Sequence, residues 1–230
     1  AVTDYHAAGM KVIMYWSIMH VGHHDAWHVV TKEHPDWAQR DPDGNPVTTY
    51  GDLWLCPNTG ALDYVIDLGL RLFTELDADA IMLDNNEFIR TEAGLPTGYC
   101  EGCQEAFAEW AWTNLPGPRA ALLESGRGPG HLPLEGDPLY NEWIEWRYIA
   151  WRDATEKFQQ AMRAVKPDAV ISANTAYASN WSLAVHGQFP ALDVLLSESR
   201  NRPGSTMSVK LKYARSLAQG KHIWNYLGTW

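Results

Sequence analysis

Asp84-Asn85-Asn86-Glu87 follows directly on the apolar run Ala80-Ile81-Met82-Leu83, which sets two carboxylates at the exit of a short buried stretch. A carboxylate at the end of a buried strand must be paired, hydrogen-bonded or turned into a cavity, because burying it alone is costly. Ser197-Glu198-Ser199-Arg200 repeats the arrangement after Leu192–Leu196. Each carboxylate also fits a structural role: Asp84 or Glu87 as a helix cap or core ion pair, Glu198 as a partner of Arg200 or Arg202. Two carboxylates at one mouth are what glycoside hydrolysis needs, a proton donor to the leaving oxygen and a nucleophile or base across the scissile bond. A separation of about 5–5.5 Å goes with retention and about 6.5–9.5 Å with inversion.

The loop 17–58 carries His20, His23, His24, Asp25, Trp27, His28, Trp37, Arg40, Asp41, Asp43 and Trp54. Aromatic faces stack on sugar rings while His, Asp and Arg bond hydroxyls, although any one Trp serves equally to pin a loop onto a rim. His24 and His28, four apart with His20 and Asp25 near, could bind a metal on a helix, but neither H-E-x-x-H nor an H-x-H on a strand is present. Cys100-Glu101-Gly102-Cys103 has the spacing of a tetrahedral metal site, with Cys56 as a third ligand. A disulfide or free thiols fit that motif as well. No G-x-S-x-G occurs, so acyl transfer has no support.

These groups need elements to hold them. Lys11–Trp16, Ala80–Leu83, Ala169–Ala173, Leu192–Leu196 and His222–Leu227 read as strands covered on both faces. Helical spacing joins Leu62 to Leu76, Ile144 to Val165 and Met207 to Leu217. Alternating strands and helices predict an α/β chain with a parallel sheet. No phosphate loop of a doubly wound sheet follows any strand. Instead the runs end in Ser17, Asp84 with Glu87, Asn174 and Glu198, as at the carboxyl face of a (β/α)8 TIM barrel. A full barrel needs eight strands and about 250 residues, so the expectation is one incomplete barrel domain over 1–230, a piece of a longer protein. Within 112–139, ten of 28 residues are Gly or Pro, which predicts an excursion on the rim.

The chain has 230 residues, 18 Lys+Arg against 28 Asp+Glu and a net charge of −10. That balance supplies no basic footprint for nucleic acid, and no apolar run is long enough to cross a membrane. No targeting segment is visible, which leaves the compartment open. Three cysteines are too few for a disulfide scaffold. Twelve tryptophans are the compositional oddity. Trp16, Trp27, Trp37 and Trp54 lie at or beyond strand ends, whereas Trp143, Trp146 and Trp151 share a helix and are expected to pack.

The stretches HAAGMKVIMYWS, HPDWAQRDPDGNP, LWLCPNTGALDYVIDL, DADAIMLDNNEF and YCEGCQEAFAEW together resemble the catalytic barrel of glycoside hydrolases. They are similar to β-galactosidases with a trimerisation domain and closer to the hypothetical glycosyl hydrolase families allied to α-L-fucosidases. LDVLLSESR and KLKYARSLAQGKHIWNYLG also look like those allied families. The resemblance runs from Ala7 to about Trp110 and from Glu142 to Trp230, and implies that barrel strands three to seven are present. In the β-galactosidases an Asn-Glu pair ends strand four, which would make Glu87, after Asn86, the acid/base. Their strand-seven nucleophile has no counterpart, since 222–230 contains no carboxylate. In α-L-fucosidases the nucleophile is an Asp ending strand four, which falls on Asp84. The resemblance thus implies Asp84 as nucleophile with Glu198 or Glu87 as acid/base, and Asn174 as a sugar contact. Cys56, Cys100 and Cys103 match three positions of the β-galactosidases' four-cysteine zinc site, with Gly98 at the fourth.

The expected activity is hydrolysis of a terminal galactose- or fucose-type glycoside, with no cofactor for catalysis and a structural zinc in view. Trp16, His20, His23, His24, Trp54, Asn86, Asn174 and Arg200 are the expected sugar contacts. The partner is carbohydrate, not nucleic acid or membrane, with a homo-oligomer open. Two rivals stand beside this: a non-catalytic carbohydrate-binding barrel, and a metal-dependent hydrolase on His20, His24 and His28.

Overall fold

The computed structural model describes residues 2–20, 30, 32–49, 52–174, 191–200, 212, 215–216 and 220–228, with backbone alone at 49, 52, 197–200 and 225–228. Along the chain lie α1 (Val2–Ala7), β1 (Ile13–Ser17), β2 (Thr48–Thr49), β3 (Asp52–Leu53), α2 (Ala61–Glu75) and β4 (Ala80–Asp84). They are followed by α3 (Glu101–Asn114), α4 (Gly117–Ala120), α5 (Tyr140–Val165), β5 (Val170–Asn174), β6 (Val194–Arg200) and β7 (His222–Gly228). Contacts divide the chain into two compact units. One comprises Ala1–Ile18, Asp63–Asn86 and Trp151–Trp230, the other Met19–Leu62 and Glu87–Ala150.

The first unit holds a five-stranded sheet in the order β1-β4-β5-β6-β7, with every pair parallel. Each crossover carries the chain one place further in the same direction. That is the winding of a (β/α) barrel; in a doubly wound sheet the order doubles back. The sheet is open: its outer strands, β1 and β7, are not paired to each other among the described residues.

All five expected strands form, and each runs one to four residues past its apolar run. The polar residues at the ends still pair, as in Ser17 with Asp84 and Glu198 with Tyr226. Glu198 and Arg200, expected just beyond a strand, therefore lie within β6. The helices expected near 62–76 and 144–165 are α2 and α5, while most of 207–217 lies outside the described residues. The segment 112–139 contains the end of α3, then α4 and two 3-10 turns at Ala121–Ser125 and Pro129–His131.

Successive strand residues face opposite sides. On one side Met14, Ile81, Leu83, Ile171, Ala173 and Leu195 are buried. Trp16 shares that side, and an added Cβ at Gly69 of α2 would meet its ring at 3.0 Å and Phe158 of α5 at 3.2 Å. The glycine thus lets both helices close over the sheet. The opposite side carries Tyr15, Ser17, Met82, Asp84 and Asn174. Before β4, Asp79 accepts from Lys11 at 2.8 Å and from His6 and Val12 at 2.9 Å. These bonds, Lys11's foremost, hold its carboxyl well below the usual carboxylate range and tie the starts of two strands.

Candidate functional site

At the carboxyl edge of the sheet, register brings the expected polar residues into a row. Ser17 is the partner of Asp84. Leu83 pairs with Ala173, so Asp84 and Asn174 come one residue later on adjoining strands, and Asn174 pairs in turn with Leu196. Glu198 is two residues beyond Leu196. By strand geometry it stands two strands, about 10 Å, across from Asp84 and about 7 Å further along.

Tyr15 Oη donates to Asp84 Oδ2 at 2.5 Å. Ile18 N donates to the Asp84 carbonyl at 2.9 Å. The chain then leaves the strand through Asn85 at φ 57°, a left-handed conformation that Asn tolerates better than most residues. Asn85 Nδ2 donates to Ser17 Oγ at 2.9 Å. Asp84 and Asn85 are therefore bound to β1 and its following residue through side chain and main chain. Tyr15 sits within the apolar run Lys11–Trp16, and its place two residues before Ser17 puts it on the face of Asp84.

The expected sugar contacts fare differently. Trp16 faces the helices, on the side of the sheet opposite Asp84, so strand alternation makes it a packing residue. Trp54 is only 3% exposed, its ring 4.9 Å from that of His20, and too enclosed to offer a stacking face. Trp37 stacks on His34 at 3.8 Å and lies against Gly60. His20 and Asn174 are half-buried and Asn86 is buried. His23, His24, Trp27 and His28 lie outside the described residues, and for Glu198 and Arg200 only the strand positions are described. Trp143, Trp146 and Trp151 are buried, as their shared helix predicts.

In the second unit, the segment from Glu87 to Ile89 is gripped by buried side chains. Gln39, 0% exposed, donates through Nε2 to the carbonyls of Leu55 (3.0 Å) and Glu87 (2.9 Å). Its Oε1 accepts from Ile89 N (3.2 Å) and Thr97 Oγ1 (2.7 Å). All four hydrogen-bonding positions of the amide are filled. Arg147 donates to the Phe88 carbonyl at 3.1 Å, its guanidinium over the rings of Phe88 and Trp143 at 5.1 and 5.0 Å. Burial lowers its pKa to about 10.

The same unit contains the three thiols. Cys100 caps the start of α3 and Cys103 lies in its first turn. A Cβ on Gly102 would meet the Asn58 carbonyl at 1.9 Å, so glycine there lets the loop bearing Cys56 approach. Cys56 Sγ stands 3.0 Å from Cys100 and 3.3 Å from Cys103, with Asn58 Nδ2 donating to Cys103 at 3.3 Å. All three are free and buried, and they form a group able to hold a metal ion. Hydrogen bonds from Cys103 and Cys56 pull the Cys100 thiol well below the usual range, whereas burial pushes Cys56 and Cys103 up.

No protein-family model and no curated protein matches the chain. Solved structures do. The β-galactosidase of Rahnella sp. R3 superposes with a TM-score of 0.73 at 13% identity, over 98% of this chain and 36% of that one. The catalytic mutant of Gan42B, a GH42 β-galactosidase from G. stearothermophilus, gives 0.68 at 17% identity over 97% and 36%. The fold is shared with glycoside hydrolases. Alpha-L-fucosidase isoenzyme 2 from Paenibacillus thiaminolyticus matches at 0.54 and 17% identity over 99% and 35%. The chain thus spans about a third of the length of each.

Proposed function

We propose that this chain carries the catalytic strand ends of a glycoside hydrolase that releases a terminal galactose- or fucose-type sugar by a two-carboxylate, retaining mechanism. The observation that carries the reading is the carboxyl edge of the parallel sheet. Asp84 is bound there by Tyr15 and flanked by Ser17 and Asn174, with Glu198 two strands on. Asp84 attacks the anomeric carbon while Glu198 or Glu87 protonates the leaving oxygen; the same group then takes a proton from the incoming water. Asn86, Asn174, Arg200, His20, His23 and His24 supply hydroxyl contacts. The chemistry needs no cofactor. The fold likeness to β-galactosidases and an α-L-fucosidase supports the choice of sugars.

The thiol cluster fits a structural zinc ion. Cys56, Cys100 and Cys103 would hold it, with a fourth ligand from outside the trio, and the ion would tie the loop at Cys56 to the first turn of α3. One observation favours a second reading of the whole, a carbohydrate-binding barrel without catalysis: 222–230 contains no carboxylate.

The test is a panel of 4-nitrophenyl glycosides that includes the β-D-galactoside and the α-L-fucoside, assayed with the whole protein. Turnover of one of them is expected, and Asp84→Asn should lower kcat roughly 10³-fold or more. Of Glu198→Gln and Glu87→Gln, the variant that loses turnover of poor leaving groups but keeps it for dinitrophenyl glycosides identifies the acid. Sugar binding without release establishes the second reading.

A further inference from the structure

We propose that Tyr15 is the positioning residue of the nucleophile, holding one oxygen of Asp84 so that the other is presented to the anomeric carbon. The proposal rests on the reading of Asp84 as nucleophile.

Register explains why a tyrosine does this. Ser17, not Tyr15, is the Cα partner of Asp84, so Tyr15 starts two residues back on the adjoining strand, about 7 Å short. A tyrosyl side chain leaning along the strand spans that distance; serine or threonine does not. Because i and i+2 share a face, Tyr15 and Ser17 lie on the side of Asp84, and Oη reaches Oδ2 at 2.5 Å. The main chain at Asp84 is already fixed by Ile18 N on its carbonyl and by Asn85 on Ser17. What stays adjustable is the carboxylate's own rotation, and the phenol restrains it.

Tyr15 is 57% exposed, beside the buried Met14. Phenylalanine would keep the ring and lose the hydroxyl, so that substitution isolates the bond to Asp84.

The reaction has two steps. In the first, a lone pair on Asp84 Oδ1 forms a bond to the anomeric carbon. The bond from that carbon to the leaving oxygen breaks with its electron pair on oxygen, which takes the proton of the acid. Oδ2 is then the carbonyl oxygen of an ester, a weaker acceptor than a carboxylate. In the second, a water oxygen attacks the anomeric carbon and gives a proton to the acid's conjugate base. The electron pair of the carbon–Oδ1 bond returns to Asp84. Negative charge grows on Oδ2 during this second step, where the Tyr15 hydrogen bond strengthens and therefore accelerates.

Tyr15→Phe and Asp84→Asn, assayed in the whole protein with 4-nitrophenyl β-D-galactopyranoside and α-L-fucopyranoside, test this. Tyr15→Phe is expected to lower kcat by about 10- to 100-fold, the range for a hydrogen bond to a charged group. KM should fall in parallel as the glycosyl-enzyme accumulates, with a burst of nitrophenol. A purely structural role would lower the unfolding midpoint and leave neither a burst nor a fall in KM. If Asp84→Asn is inactive while Tyr15→Phe turns over at the wild-type rate, or slows without a burst and fall in KM, the inference is wrong and the nucleophile reading stands. If Asp84→Asn stays active, or the wild type hydrolyses neither glycoside, that reading fails and takes the inference with it.

Discussion

Gln39, in the second unit, is fully buried and fills all four of its hydrogen-bonding positions with Leu55, Glu87, Ile89 and Thr97. Asp84, in the first, is half-buried and binds through one carboxylate oxygen to an exposed tyrosine. Both are polar groups set against backbone that must not move. The amide has no valence left over, as suits a group whose work is to hold three loop segments together. The carboxylate is held through Oδ2 alone among the described hydrogen bonds, which leaves Oδ1 for the attack proposed above. In the proposed reading the saturated amide is scaffold and the carboxylate at the strand end is the reacting group.

Substitution should separate the two. The largest effect falls on activity at Asp84. The roughly 10³-fold loss expected for Asp84→Asn should come with an unfolding midpoint equal to or above that of the wild type, since removing a half-buried charge relieves rather than damages the fold. A sharp loss of stability would make Asp84 scaffold too. Gln39→Leu should behave in the opposite sense. It strands two carbonyls and an amide N–H, although the Thr97 hydroxyl keeps the Ile89 carbonyl at 2.6 Å, and should cost about 3–5 kcal/mol in denaturant unfolding; a loss below about 1 kcal/mol would show the grip to be replaceable. Cys103→Ser is the smallest, about 1–3 kcal/mol, and should abolish bound zinc measured by elemental analysis. A wild type without zinc would reduce the thiol cluster to packing.

The strands were legible because each is a short apolar run set between helical patterns, and the order of strands and helices pointed to the parallel sheet. Their ends were not, because Ser17, Asp84, Asn174 and Glu198 pair in the ladder although their types suggest loop. Helix α3 went unread: its buried residues are only Cys103, Phe107 and Ala111, a narrow stripe beside the exposed Trp112. The row of polar strand ends was readable from residue types. Which way a tryptophan faces was not, since Trp16 and Tyr15 differ by one position and strand alternation sends them to opposite sides. Gln39 gave no local signal, because its partners lie 16 to 58 residues away.

The claim that Asp84 is the nucleophile is tested most directly by trapping it. The whole protein would be treated with dinitrophenyl 2-deoxy-2-fluoro glycosides of galactose and fucose, whose fluorine slows breakdown of the covalent intermediate, and then digested and mapped by mass spectrometry. One fluorosugar adduct is expected, on the peptide carrying Asp84 and at that residue. An adduct on Glu198 or Glu87, or none in an enzyme that hydrolyses the parent glycoside, would contradict it.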